Sequence, residues 1–418
     1  MSSSSLSEFL SANKAKFLSD LKADGAKSWT VVMGNEAGDL DSIASAIAYS
    51  YLTPRKPTIG LIQTHRQDLS LRAENLYAFK LANLSPTHDD LFTIDDLPVP
   101  PAELKCNFAL VDHNTLWAPW RRPDAKVVGI IDHHDDENNH IDADPRAIVV
   151  PLGSAASLVT ETFKDSWTPA DPANVPPPEL ATLLLSAIYI DTAGLKSSKA
   201  EPLDHASVAF LESRESNNPS LGGEEVSLFR IETTKELKSQ KISITHLSSR
   251  DLLRRDYKQY TFSTATEGNP IRVGLSTVPM GIKQWLKNDP DGFRASLESW
   301  ATERTLDVVG VLTTYNSARK GHHRRELLIL VGGDPTSAYG QKALVETTTN
   351  VLVEGLEKTA LLDLERVEFE GDFAAIEGVA GDRAHGDLPG QIRLWRQRNS
   401  DATRKIVAPA FKAILESM

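Results

Sequence analysis

KVVGIIDHH, residues 126–134, is a short apolar run that ends on a carboxylate and two imidazoles. A Val/Ile-rich run of this length reads as a strand buried on both faces. Three earlier runs have the same form: SWTVVMG (28–34), KPTIGLIQT (56–64) and NFALVDH (107–113). DSIASAIAYSYL (41–52), LRAENLYAFKLANL (71–84), SAASLVTETFKD (154–165) and PPELATLLLSAIYI (177–190) have helical spacing or length. Strands alternating with helices predict an α/β domain with a mainly parallel sheet flanked by helices.

The acidic residues of this half follow apolar runs. Asp39 and Asp41 lie beyond TVVMG, Asp112 follows FALV, Asp132, His133 and His134 follow VVGII, and Asp191 follows LLLSAIYI. Ligands of a parallel sheet bind at the carboxyl ends of its strands, so these groups are expected to converge on one crevice. Packed carboxylates repel and take up protons unless cations balance them. Oxygen ligands with one or two imidazoles suit Mg²⁺ or Mn²⁺. Two such ions about 3.5–4 Å apart can hold a bridging hydroxide and clamp a phosphate, which makes the chemistry water attack on phosphorus. Each residue also has a plainer reading: Asp39 or Asp41 as a helix N-cap, Asp112 as a turn former, the His pair as structural. The joint pattern favours the metal site.

Four segments resemble the motifs of the DHH phosphoesterase superfamily: DLDS (39–42), VDHN (111–114), IDHH (131–134) and AIYIDTAGLK (187–196). The VDHN form and the string TRKIVAP (403–409) are similar to the branch that holds family II inorganic pyrophosphatases, eukaryotic exopolyphosphatases and prune proteins. The resemblance implies a DHH domain followed by a DHH-associated C-terminal domain, with the site between them. It implies that Asp39 holds one metal, Asp41 and His133 the other, and that Asp112 and Asp191 bridge both. His134 would face the substrate as phosphate ligand or proton donor, and Asp132 would orient its neighbours. Family II pyrophosphatases carry His four residues before the first Asp; here Asn35 stands there, as in exopolyphosphatases of the branch. An amide oxygen is a harder, weaker ligand than imidazole, so as a metal ligand Asn35 would shift preference from Mn²⁺ or Co²⁺ toward Mg²⁺. Its plainer reading is a turn residue.

The second half reads as a smaller α+β domain with a mixed sheet. YKQYTFSTA (257–265), IRVGLSTVP (271–279), TLDVVGVLTTY (305–315) and RRELLILVGG (324–333) are strand-like, and residues 341–357 and 403–416 helix-like. The polar stretch ESNNPSLGGEE (215–225) places the boundary near 222, giving domains 1–222 and 223–418.

This half also carries local positive charge. TRKIVAP resembles the branch's phosphate-binding motif and assigns Arg404 and Lys405 to phosphates beyond the scissile one; the plainer reading is a basic first helical turn, unfavourable without an anion. ARKGHHRREL (318–327) supplies Arg319, Lys320, His322, His323, Arg324 and Arg325, a cluster that could guide a long anionic chain. Its plainer reading is a solvated hairpin loop. Lys241 is a further phosphate candidate, with Lys235 and Lys238 close by. Ser154 and Ser157 sit at a predicted helix start, which could bind an anion or simply be capped.

The net charge of −12 argues against a generic nucleic-acid binder. The single cysteine, Cys106, excludes an intrachain disulfide. There is no membrane-length apolar run, and the N-terminal segment lacks a signal-peptide core and is a poor transit peptide. Cytoplasmic placement is the expectation, with a mitochondrial one the lesser alternative, and a monomer is expected. The reading is an exopolyphosphatase that releases orthophosphate from inorganic polyphosphate through a metal-activated hydroxide. The alternatives are an inorganic pyrophosphatase, or a nucleotide phosphodiesterase or interaction protein of the prune type. The wider superfamily's GGGH-type motif has only VGGDP (331–335) as its nearest string.

Overall fold

The computed structural model describes residues 5–23, 26–53, 56–171, 174–215, 223–265, 270–317, 321–332, 342–368, 376 and 391–418. Two compact units divide the chain, Met1–Ser243 and Ile244–Met418. The sequence reading put its boundary near 222, at a stretch whose residues 216–222 lie outside the described ones.

The first unit runs α1 (Leu6–Lys22), β1 (Thr30–Met33), α2 (Leu40–Leu52), β2 (Thr58–Leu61), α3 (Ala73–Leu81), β3 (Asn107–Val111), β4 (Lys126–Asp132), β5 (Arg146–Ile148), α4 (Ala155–Thr162), α5 (Pro178–Asp191), α6 (Pro202–Glu215) and α7 (Gly223–Ile242). Its sheet has the order β2-β1-β3-β4-β5, and every pairing is parallel. Strand side chains alternate between faces. Val32, Ala109, Val111 and Ile131 join the core formed with α2, α4 and α5. Val31, Met33, Phe108, Leu110 and Ile130 pack with Phe17, Trp29 and Trp120 on the other side. Covering both faces is what allows near-continuous apolar strands.

The second unit runs α8 (Ser249–Arg255), β6 (Tyr257–Phe262), β7 (Ile271–Val278), α9 (Ile282–Asn288), α10 (Gly292–Glu303), β8 (Val308–Thr313), β9 (Tyr315–Asn316), β10 (His323–Val331), α11 (Lys342–Lys358), β11 (Leu364–Arg366), β12 (Gln391–Gln397) and α12 (Arg404–Glu416). Its sheet is mixed, in the order β11-β12-β10-β8-β7-β6 with β9 beside β10. Among the described residues, only β7 and β8 pair in parallel. The expected pairing of a parallel-sheet α/β unit with a smaller mixed α+β unit is therefore the observed fold. Among the described residues no helix is long and apolar enough to cross a membrane.

Candidate metal centre

The turn from β1 to α2 is built for close approach. A Cβ on Gly34 would fall on the Cβ of Ser42 and lie 2.8 Å from its carbonyl oxygen, so the strand end and the first helical turn can meet only through glycine. Gly38 completes the turn at φ +59°. Asp39 is the N-cap of α2, its Oδ1 accepting from the Ser42 N–H at 3.0 Å. The plainer reading of Asp39 is thus realised, and its charge also acts on both Asp41 and Asp112.

Asp112 lies just past β3 with φ +60° and is buried. Its Oδ2 accepts from Asn35 Nδ2 and from Ser42 Oγ, each at 2.7 Å. Its Oδ1 lies 3.2 Å from His133 Nε2 and 3.6 Å from His134 Nδ1. Ligand atoms of Asp112, His133 and His134 all lie within 4.8 Å of one another. His133 Nδ1 sits 3.0 Å from the Leu152 carbonyl. That acceptor fixes the proton on Nδ1 and turns the Nε2 lone pair toward Asp112 and toward Asp41 Oδ2, 3.8 Å away. A lone pair facing carboxylates is repulsive unless a proton or a cation intervenes.

Asp41 is buried and reaches across to the start of α4. Its Oδ1 accepts from Ser154 Oγ and Ala156 N at 2.8 Å, and its Oδ2 from Ala155 N at 2.7 Å. The anion at this helix start is therefore the chain's own carboxylate. Ser157 donates instead to Asp204 Oδ1 at 2.6 Å.

Asp191 is the last residue of α5, the helix expected over 177–190, so it stands at a helix end while Asp112 and Asp132 stand at strand ends. Burial and then the Asp41 charge raise it well above the ordinary carboxylate range, against the pull of Lys241. Burial and then Asp39 push Asp112 up to about 7. Asp41 is raised by burial against the attraction of His133. Carboxyls held up in this way, with Asp41 and Asp112 buried and Asp191 half-buried, fit a divalent cation, whose charge removes the cost of ionising them together.

Asp132 behaves oppositely. Burial pulls it up, but hydrogen bonding to His134 and Asn114 holds it well below the usual range. It accepts from Asn114 Nδ2 at 2.7 Å, the His133 N–H at 2.8 Å and His134 Nδ1 at 2.8 Å.

Asn35, expected as an oxygen ligand, is engaged at both ends of its amide. Its Oδ1 accepts from the Ala37 N–H at 2.9 Å while its Nδ2 donates to Asp112. An N–H on one side and a carboxylate on the other fix the amide in this sense, so Asn35 acts as a donor to Asp112. Ser42, Asn114 and the Leu152 carbonyl complete the network. The first two stand inside the quoted motifs DLDS and VDHN, but nothing in the sequence signals the third.

Lys241 lies exposed in the last turn of α7. Arg319 and Lys320 lie outside the described residues. His322, His323 and Arg324 are exposed on the β9–β10 hairpin, with His323 Nε2 2.8 Å from Thr314 Oγ1. Arg325 Nε donates to the Ser400 carbonyl at 2.6 Å. Arg404 opens α12, and its guanidinium meets Asp256 Oδ1 at 2.8 Å and the Asp256 carbonyl at 3.1 Å. Asp256 is thus an anion for Arg404 within the chain. Lys405 follows it in the same turn, its backbone N–H donating to Thr403 Oγ1 at 3.3 Å.

Comparison with known proteins agrees with this architecture. Residues 29–188 match the model of the DHH family, N-terminal domain, and residues 235–414 match the DHHA2 domain. The chain is 31% identical over 395 residues to a Schizosaccharomyces pombe protein named "Putative exopolyphosphatase", covering 92% of this chain and 90% of that one. It is 25% identical to the human "Exopolyphosphatase PRUNE1" over 68% of this chain and 59% of that protein. A Lactococcus lactis "Probable manganese-dependent inorganic pyrophosphatase" is 30% identical over 42% of this chain and 52% of that one. Among solved structures, the Methanococcus jannaschii "putative family II inorganic pyrophosphatase" shares the fold with a TM-score of 0.53 at 18% identity, covering 92% of this chain and 99% of that one. With both domain models matched in order and a relative aligned along nearly its whole length, the chain belongs to the DHH family, its DHH domain followed by a DHHA2 domain.

Proposed function

We propose that the chain is an exopolyphosphatase that hydrolyses terminal phosphoanhydride bonds of inorganic polyphosphate and releases orthophosphate, with two divalent cations, Mg²⁺ or Mn²⁺, at the Asp/His cluster. The observation that carries this reading is His133, whose Nδ1 is tied to the Leu152 carbonyl so that Nε2 faces Asp112 and Asp41. The names of the relatives supply the substrate class.

Asp39, Asp41, Asp112, His133 and Asp191 are the groups that would hold the ions. When bound, the ions supply Lewis acidity toward the phosphoryl oxygens and lower the pKa of a water. The remaining work belongs to the chain. Asn35 and Ser42 hold one oxygen of Asp112, leaving the other toward the histidines. Asp132 holds the His134 ring through Nδ1, which orients it for the proposed role of steadying a phosphate oxygen or giving a proton to the leaving one. Lys241 and the basic residues of the second unit are proposed to meet phosphates beyond the scissile bond.

Orthophosphate release from pyrophosphate, tripolyphosphate and long polyphosphate, each with Mg²⁺ and with Mn²⁺, tests the reading. A clear preference for the longer substrates is expected. Release from pyrophosphate alone would assign the chain to pyrophosphate hydrolysis instead.

A further inference from the structure

A cavity of about 460 Å³ lies in the first unit, lined by Thr115, Leu116, Arg121, Arg122, Ala125, Glu137, Asn139 and His140. Its walls are the two segments that leave the ends of β3 and β4, downstream of Asp112 and of His133 and His134. Asn114 ties the segments together, donating to Asp132 Oδ2 at 2.7 Å and accepting from the Glu137 N–H at 3.0 Å.

The polar groups of this cavity are already half committed, and the commitments leave mostly donors. His140 Nε2 accepts from the Leu116 N–H at 3.3 Å, so the neutral ring carries its proton on Nδ1. Arg121 Nε donates to the Leu116 carbonyl at 2.7 Å, which leaves its two terminal amino groups. Thr115 Oγ1 accepts from Asn139 Nδ2 at 2.9 Å, which leaves the hydroxyl hydrogen. Arg122 adds fixed positive charge, seated over the Phe108 ring and paired with Asp124 at 2.9 Å. Against these stands one exposed carboxylate, Glu137.

Donors in excess call for an oxyanion, and a carboxylate among them calls for an oxyanion that carries a proton. A phosphate group with a protonated oxygen satisfies both, donating to Glu137 while its other oxygens accept from Arg121, His140 and Thr115. Sulfate has no such proton at neutral pH and would place a bare oxygen against the carboxylate. We infer that this cavity is a second phosphate-binding site, distinct from the metal cluster and selective for protonated phosphate over sulfate. The donor set fits free orthophosphate and the end group of a phosphate chain alike. Only the expectation that such phosphate is at hand rests on the proposed hydrolysis.

Calorimetric titration of the full chain in EDTA keeps divalent ions away from the cluster, and the Arg121 and Glu137 variants separate binding in this cavity from binding at Lys241 and the basic residues of the second unit. Orthophosphate, tripolyphosphate and sulfate are the three probes. Orthophosphate or tripolyphosphate should bind at least about tenfold more tightly than sulfate; the tighter of the two tells whether free phosphate or a chain end is preferred. Arg121→Ala should weaken phosphate binding by about tenfold or more, and Glu137→Gln should erase the discrimination against sulfate. Both side chains are exposed, and unchanged melting curves confirm that the variants fold. Equal binding of phosphate and sulfate by the unaltered chain, no binding of either phosphate probe, or binding indifferent to Arg121→Ala overturns the inference. Asp112→Ala provides the separation from the proposed function: it should stop hydrolysis and leave this binding in place. Phosphate binding lost in that variant would return the ligand to the metal cluster.

Discussion

Asn35 and Asp112, 77 positions apart in the chain, are joined by a 2.7 Å hydrogen bond from the side-chain amide to the carboxylate. The amide's oxygen is meanwhile taken by the Ala37 N–H. A neutral imidazole at position 35 has one lone pair, which can serve a cation in place of the Ala37 N–H. Asn35→His should therefore raise affinity for Mn²⁺ or Co²⁺ and improve hydrolysis of pyrophosphate relative to long chains. Metal titrations that superimpose on the unaltered protein would remove residue 35 from the account.

Asp112→Ala and Asp191→Ala should each abolish turnover if both carboxylates serve two ions. A loss beyond roughly a thousandfold is expected, about 4 kcal/mol on the barrier. A loss of only about tenfold with normal metal content would contradict the bridging role.

Removing Asp41 should differ from removing Asp191 in metal-stripped protein. Asp41 caps α4, and Asp41→Ala leaves the Ala155 and Ala156 N–H groups without their acceptor. Burial raises Asp41 as well, but three donors lose their acceptor with it, so a stability loss of about 1–2 kcal/mol is expected, the size of a lost N-cap. Asp191 is held well above the ordinary carboxylate range. Ionising it costs the folded state, so Asp191→Ala should leave the stripped protein as stable or more stable at neutral pH. Chemical denaturation in EDTA separates the two; equal losses would refute the capping assignment.

The basic hairpin and the start of α12 should separate by substrate and by stability. Arg325 is engaged with the Ser400 carbonyl and Arg404 with Asp256. Neutralising Arg319, Lys320 and Arg324 while keeping Arg325 should raise KM for long polyphosphate and change tripolyphosphate little. Added salt should close the gap between variant and unaltered protein. Arg404→Ala should lower the melting temperature as well as activity, because Asp256 loses its partner. An unchanged long-to-short ratio of kcat/KM for the hairpin variant would make the hairpin a solvated loop.

Acid sensitivity is expected where α1 is fastened. Asp96 meets Lys14 Nζ at 2.7 Å and Arg66 Nη2 at 2.6 Å. Burial raises its carboxyl, but the hydrogen bonds from Lys14 and the Thr93 N–H outweigh this and hold it below its ordinary value. Its stabilising contribution is present above the unfolded value, near 4, and is lost as pH falls through the folded one. Asp96→Asn should lower the melting temperature at neutral pH and converge with the unaltered protein in acid. Parallel melting-temperature curves across that window would show that the ion pairs contribute nothing.

The sheet of the first unit was legible because a parallel strand covered on both faces leaves an apolar run, and β1 to β4 each left one. β12 was not, since QIRLWRQ (391–397) breaks its alternation at Leu394 and Trp395 and carries two arginines. α6 and α7 mix charged and apolar positions without a clear stripe, so their periodicity marks no helix. Of the proposed Asp and His residues, Asp112, Asp132, His133 and His134 stand at or just past the strand ends that the apolar runs marked. The bond from Asp41 to α4 spans 113 positions and leaves no local trace. The cavity beside β3 and β4 was equally hidden, because its shape comes from loop turns such as His140 at φ +53°.

The seat of Asp41 on α4 gives the centre a listening post. The Ala155 and Ala156 amides touch the carboxylate directly, so their hydrogen exchange and chemical shifts follow its charge and position. A titration followed at those two signals needs no turnover and no substrate, and it distinguishes an ion that settles on Asp41 from one that settles elsewhere in the cluster.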